Sequence, residues 1–251
     1  MRPEDRLIIA LDMDRLEDAS RLVQKLVPLG VTHFKVGLNL FTRAGPAAVE
    51  AVHRSGGQVF LDLKFHDIPS TVAKTVRAAT RLGVWMANVH IQGGSAMMRS
   101  ALSAIREEAK ATGRKGPLLV GVTVLTSMAE KDLVDLGLRK TLKDQVLYLA
   151  KLAKSAGLDG IVASAQEAKV IRWTCGEDFL IVTPGIRPVD KQGDPFAAGF
   201  QVRGGDDQQR TAAPSEAVRA GANYIVVGRP VLEAADPTQV VREILRDCAQ
   251  V

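Results

Sequence analysis

Short runs of β-branched and other apolar residues alternate along this chain with longer polar stretches in which apolar positions recur every three or four residues. The first pattern fits strands buried on both faces and the second fits amphipathic helices. Their regular alternation predicts a parallel sheet joined by crossover helices. Eight strand candidates stand out: Arg6–Leu11, His33–Gly37, Gln58–Leu63, Met86–Ile91, Leu118–Val124, Gly160–Ala163, Phe179–Thr183 and Tyr224–Gly228. Between them lie helical stretches such as LEDASRLVQKLVPLG, PSTVAKTVRAATRLG, GSAMMRSALSAIREEAKA and KDQVLYLAKLAKSAG. Strand starts fall about 20 to 45 residues apart, the longer gaps leaving room for an extra loop or helix. Eight such units predict an α/β fold of the (β/α)8 barrel (TIM barrel) class, with residues 1–251 forming a single domain. A doubly wound open sheet is the alternative. It usually carries a glycine-rich nucleotide turn, and neither GxGxxG nor GxxxxGK[ST] occurs here.

Composition agrees with this picture. The chain has 251 residues, 46% of them apolar and 24% charged, close to the globular average, which argues against disordered, collagen-like and coiled-coil architectures. Its net charge of +5 is scattered and by itself predicts little about partners. Cys175 and Cys248 stand far apart, outside any zinc or disulfide spacing, so a reduced, cytoplasmic setting is expected. No signal-peptide core and no apolar run of membrane-spanning length is evident, and no basic-aromatic interleaving suggests nucleic acid. The irregular segment Arg187–Gln209, RPVDKQGDPFAAGFQVRGGDDQQ, follows the seventh strand and is expected to be an extended lid loop on the catalytic face.

The most informative run is VFLDLKFHDIPST. Asp62 and Lys64 are two apart on a strand, so period-two alternation directs both side chains to the barrel interior near its mouth, with Asp67 just beyond. Asp12 ends the first strand and Lys35 lies in the second. Burying such groups at adjacent strand ends is expensive unless they pair. A plain ion-pair network closing the barrel is the bland explanation, but charges on the C-terminal face of a barrel usually carry chemistry. Flanking carboxylates stabilise the ammonium form of Lys64, which suits it poorly to Schiff-base formation. A protonated lysine can instead neutralise a developing carbanion and give it a proton, so the motif points to carbanion chemistry without a cofactor. At the other end of the chain, YIVVGRP places Gly228 and Arg229 after the eighth strand, the usual phosphate position in barrels.

The runs LIIALD, HFKVGL, DLKFHDIPST, VTVLTSM, TPGIRP and IVVGRP occur in this order over nearly the whole chain, and their DxKxxDIP core is specific. Together they resemble the bacterial orotidine 5′-phosphate decarboxylase family. The resemblance implies a metal-free, cofactor-free conversion of orotidine 5′-monophosphate to uridine 5′-monophosphate and CO2, by a homodimer with active sites at the subunit interface. It implies a charged array of Lys35, Asp62, Lys64 and Asp67, with Lys64 as proton donor and Asp62 facing the substrate carboxylate. Asp67 would reach the partner's site together with Ile68 and Thr71. Asp12 and Lys35 would hold ribose hydroxyls, Thr126 would read the pyrimidine edge and Pro184 would line its pocket. Arg187, Gln208, Gly228 and Arg229 would grip the phosphate.

The segment between Arg187 and Gln208 is about twice as long as the family's lid, an insertion costing only about 0.6 kcal/mol of closure entropy. There Gln201 or Gln209 are alternatives to Gln208, and Lys191 and Arg203 are further phosphate candidates. His66 is expected to point away from Lys64, and His90 to be a packed or hydrogen-bonded histidine near the mouth. His33 and His53 show no constellation, and Trp85, Trp173 and the scattered methionines read as core filling. Two other functions remain open at this point. One is a magnesium-dependent sugar-phosphate decarboxylase or aldolase in which Asp62 and Asp67 help hold the metal; the other is a non-catalytic phosphate-binding barrel.

Overall fold

A computed structural model describes residues 1–188 and 210–251. Eight parallel strands close into a barrel in chain order: β1 (Leu7–Ala10), β2 (His33–Gly37), β3 (Gln58–Phe65), β4 (Met86–His90), β5 (Leu118–Val122), β6 (Gly160–Val162), β7 (Leu180–Thr183) and β8 (Tyr224–Val227). All eight expected strands are present, with ends displaced by at most two residues. The barrel, rather than the open sheet, is therefore the fold, because β8 pairs with β1 through Leu7↔Ile225, Ile8↔Val226 and Ile9↔Val227. The expected lid falls mostly outside the described residues. Among the described residues, no helix is long and apolar enough to cross a membrane.

Helices form where the apolar period is three to four. Leu16–Leu26 buries Ala19, Leu22, Val23 and Leu26, and Pro69–Arg81 buries Val72, Val76 and Ala79. Each buried Val or Leu contributes roughly 1.5–3 kcal/mol, so these stripes seat the helices on the barrel. The wide gap between β5 and β6 holds two helices, Glu130–Asp135 and Leu142–Ala156. Trp173 corrects an expectation. On helix Ala165–Cys175 the buried side is Ala168, Ile171 and Cys175, while Trp173 stands on the other side and is 87% exposed.

The strands separate two apolar clusters. The larger lies between strands and helices and takes alternate residues such as Ile9, Phe34, Leu61 and Val227. The smaller fills the barrel with Ile8, Ala10, Phe60, Met86, Val120, Val182, Tyr224 and Val226. Trp85 packs against it and stacks on His33 and Tyr224, with ring centroids 4.1 and 5.1 Å apart, so His33 does belong to a cluster. Burial lowers the His33 pKa despite the nearby Asp5 carboxylate. This apolar layer supports the polar residues that follow on the same inward-facing rows: Asp12 above Ala10, Lys35 above His33 and Asp62 above Phe60.

β6 and β7 approach so closely that a Cβ at Gly160 would lie 2.2 Å from the Leu180 carbonyl oxygen. We expect Gly160→Ala to destabilise the fold by about 1–3 kcal/mol, read as a lower urea midpoint with unchanged m. An unchanged midpoint would show that the two strands separate there without cost.

Candidate active site

The charged residues of β1–β3 form one connected array at the C-terminal mouth. Lys35 Nζ lies 2.9 Å from Asp12 Oδ1 and 3.3 Å from Asp62 Oδ2. Lys64 Nζ donates to Asp62 Oδ1 at 2.7 Å. Exposure is graded along it: the side chains of Lys35 and Asp62 are each 11% accessible, against 30% for Lys64 and 51% for Asp12. The deepest charges are thus the ones with most partners, as desolvation requires.

Simple alternation is only part of why Asp62 and Lys64 meet. The β3–β4 register slips between Leu61 and Phe65, and Lys64 has φ +50°, the one non-glycine residue with positive φ among those described. Such a backbone costs of order 1–3 kcal/mol and persists only where its surroundings hold it. Asn88 on β4 supplies that hold. Its Oδ1 accepts the Lys64 backbone N–H at 2.8 Å, and its Nδ2 donates to Asp62 Oδ1 at 2.6 Å. Sequence reasoning missed Asn88. Its signal was a polar residue at an inward position of MANVH, between apolar Ala87 and Val89.

Burial opposes ionisation of Asp62, yet Lys35, Lys64 and Asn88 outweigh it and hold the carboxyl below the ordinary aspartate range. Burial likewise opposes the Lys35 ammonium, and Asp62 with Asp12 more than offsets it, raising the pKa. Gly37, the last residue of β2, has an ordinary φ of −96°, so its backbone does not require glycine. Space does: a Cβ there would lie 2.9 Å from both Asp12 Oδ1 and Lys35 Nζ.

The array lines a cavity of about 820 Å3 that also takes in Thr126, Pro184, Arg187, Gly228 and Arg229, drawn from the ends of β5, β7 and β8. Val122, Val124, Leu125 and Val162 give it an apolar wall, and Ser127 lines it beside Thr126. The cavity therefore carries paired charges on one side, an apolar wall on another and, beyond β7 and β8, Arg187 and Arg229 with Glu233 nearby, a shape suited to a planar ring carrying a remote anion. Both Asp62 oxygens are already engaged by Lys35, Lys64 and Asn88, so a divalent cation there would have to displace two ammonium groups.

Asp67, Ile68 and Thr71 do not line this cavity. They sit at the start of helix Pro69–Arg81, all exposed, with the Asp67 carboxylate accepting the Ile68 backbone N–H at 2.6 Å. Gln208 lies outside the described residues, as do Lys191, Gln201, Arg203 and Gln209. His66 is exposed, its ring centroid 5.5 Å from that of half-buried His90, whose Nδ1 lacks a hydrogen-bond partner among the described residues. Burial, with His66 and Lys64 nearby, lowers the His90 pKa.

Because the Asp62 carboxyl is held low, the folded protein binds fewer protons there than the unfolded chain at pH values between the two pKa values. The stabilisation is complete above roughly pH 5 and is lost as pH falls through the folded value. Lys35 has the opposite sign and loses its contribution only as pH rises beyond the ordinary lysine range of about 10.4. We expect the unfolding free energy of the wild type to lose ground against Asp62→Asn as pH drops from about 6 to 3. A difference that stays constant over that range would show that Asp62 titrates normally.

Residues 5–244 match the family model described as orotidine 5′-phosphate decarboxylase / HUMPS family. The chain is 47% identical over 252 residues to a protein of Moorella thermoacetica named orotidine 5′-phosphate decarboxylase, covering 100% of this chain and 95% of that one. It is 50% identical to the protein of that name from Trichlorobacter lovleyi, covering 96% and 94%. The crystal structure of orotidine 5′-phosphate decarboxylase from Lactobacillus acidophilus superposes with a TM-score of 0.80 at 36% identity, covering 96% of this chain and 98% of that one. These matches span the strands that build the array as well as those that carry Arg187 and Arg229, and the chain belongs to the orotidine 5′-phosphate decarboxylase / HUMPS family.

Proposed function

We propose that this protein decarboxylates orotidine 5′-monophosphate to uridine 5′-monophosphate and CO2 in pyrimidine biosynthesis, without a metal or cofactor. The observation that carries the reading is the Lys35–Asp62–Lys64 array in a cavity that also presents Arg187 and Arg229. The two guanidinium groups and the Gly228 backbone suit the phosphate, with Gln208 assigned to the same grip by resemblance. Asp12 and Lys35 take the ribose hydroxyls, Thr126 the pyrimidine edge, and Pro184 packs beside the ring.

Asp62 faces the substrate carboxylate. The C6–carboxylate bond breaks, CO2 leaves, and the electron pair stays at C6. Lys64 neutralises that charge and delivers its proton to C6, then regains a proton from solvent. Its ion pair with Asp62 and its unusual backbone aim Nζ before the reaction begins, so little reorganisation is left for the transition state. Binding energy from the remote phosphate aligns the ring against this array.

The working unit is a cytoplasmic homodimer in which Asp67, with Ile68 and Thr71, completes the partner's site. Supporting this, all three are exposed and stand outside the cavity of their own chain, and Ile68 is a large apolar side chain 64% exposed.

Ultraviolet absorbance of orotidine 5′-monophosphate tests the activity. We expect loss of substrate with EDTA present, and a fall of about 10²–10⁴-fold in kcat for Lys64→Ala with uridine 5′-monophosphate binding retained. No loss of substrate at micromolar enzyme, activity restored only by magnesium, or near-full activity in Lys64→Ala would each overturn the reading. Mixing inactive Lys64→Ala and Asp67→Asn chains is expected to restore partial activity, because one site of each mixed dimer is intact. Absence of recovery despite demonstrated subunit exchange would refute the shared site.

A further inference from the structure

Behind the cavity, three loops of the catalytic face meet at one guanidinium. Arg210 is 8% exposed and does not line the cavity. Its Nη1 donates to Glu167 Oε1 at 2.7 Å, and its Nη2 donates to the Leu125 carbonyl oxygen at 3.0 Å. Glu167, itself 5% exposed, lies in the first turn of helix Ala165–Cys175, which follows β6. Leu125 belongs to the loop after β5 and immediately precedes Thr126, and both line the cavity. Two residues beyond Arg210, Ala212 bridges the chain end after β7: its N–H donates to Gly185 O at 3.2 Å, and its carbonyl accepts Arg187 N–H at 2.9 Å. The same short stretch is thus tied to the wall that carries Thr126 and to the one that carries Arg187.

A buried ion pair is costly to desolvate, and this one is incompletely satisfied: Arg210 Nε and Glu167 Oε2 have no hydrogen-bond partner among the described residues. A pair of apolar side chains would fill the space with less penalty. What apolar side chains do not supply is a rigid fork that fixes a main-chain carbonyl and a helix start in one plane.

We propose that Arg210, held by Glu167, is a positioning residue of the reaction: it sets Thr126 relative to Arg187, and so couples the place where the pyrimidine is read to the place where the phosphate is gripped. The proposal rests on the decarboxylase reading for what those two places bind. Arg210 touches no reacting atom and acts through the Leu125–Thr126 main chain on one side and the Ala212–Arg187 bridge on the other.

The test is a double-mutant cycle with Arg210→Lys and Thr126→Ala, read in two independent ways: kcat/KM for orotidine 5′-monophosphate and calorimetric affinity for uridine 5′-monophosphate. Lysine keeps the charge but lacks the planar fork that holds both acceptors in a fixed geometry. We expect Arg210→Lys alone to lower kcat/KM about tenfold, and the same change in the Thr126→Ala background to lower it less than about threefold. A residue that merely supported the fold would give losses that multiply, and that result overturns the proposal, as does unchanged kcat/KM and affinity in Arg210→Lys. If Arg210→Lys does not fold, Glu167→Gln, which keeps an acceptor oxygen but removes the charge, takes its place in the cycle under the same criteria. An inactive wild type would refute the decarboxylase reading alone if the affinity cycle still showed the coupling. Multiplying losses in both readouts would refute the coupling alone if the wild type turned over substrate.

Discussion

A carboxylate held away from water needs cations, and a buried ammonium needs a carboxylate; the bond between Asp62 and its two lysines meets both needs at once. Taken singly, Lys35 and Asp62 would each be penalised by several kcal/mol for their burial. Together they form a neutral-to-positive cluster whose members protect one another's charge, which is why burial fails to neutralise either of them. Removing one partner strands the other, so the array is an all-or-none feature of the fold. Its register follows from strand pairing: Lys35 lies opposite Phe60 and Gly37 opposite Asp62, which sets the ammonium of one strand beside the carboxylate of the next. Gly37 then leaves open the space that the Asp12–Lys35 contact fills.

The same array explains where strain is stored. Lys64 occupies a backbone region that disfavours any residue with a Cβ, and the slip in β3–β4 pairing removes ladder bonds that would otherwise flatten the strand. Asn88 replaces them with a side-chain bond to the Lys64 N–H while holding Asp62 with its other end. One amide therefore fixes both the Lys64 backbone and the carboxylate that its side chain pairs with. An uncharged amide suits this role because it can accept from the Lys64 backbone N–H with its oxygen and donate to Asp62 with its nitrogen, adding no further charge to the array.

Much of this was legible in the chain because it depends on period and order. Strand positions follow from β-branched runs, and Asp12, Lys35, Asp62 and Lys64 in LIIALD, HFKVGL and DLKFHD fall on inward rows by counting in twos. What stayed hidden depends on contacts between distant segments or on exceptions to the period. The left-handed Lys64 breaks the alternation that first placed it beside Asp62. Asn88 is a lone amide between apolar Ala87 and Val89 and belongs to no motif. Arg210 and Glu167 stand 43 positions apart and share no motif, although each is buried against the other. Trp173 was misread because residue type was allowed to outweigh helical phase: Ala168, Ile171 and Cys175 already define the inner side of that helix. The partners of His33 are equally remote in sequence: Trp85 just precedes β4 and Tyr224 opens β8, and they meet it only in three dimensions.

Closure of the barrel is what turns these separate features into one site. Asp12 and Arg229 stand at opposite ends of the chain, and in an open sheet with β1 and β8 unpaired nothing would bring them together. The Leu7↔Ile225 and Ile9↔Val227 pairing makes the last strand the neighbour of the first, and Gly228 then comes close enough to Asp12 that a Cβ there would lie 3.8 Å from Oδ2. The ends of β1–β3 supply alternating charge, β5 and β6 an apolar wall, and β7 and β8 the guanidinium groups, so the order of chemistry around the rim is the order of strands in the chain. Lys35, Asp62 and Lys64 cannot shift independently, because β2 and β3 are each hydrogen-bonded to both of their neighbours, while Thr126, Arg187 and Arg229 stand beyond the ends of β5, β7 and β8. The ring of strands thus brings the Lys35–Asp62–Lys64 array and the segments that carry Arg187 and Arg229 to one rim.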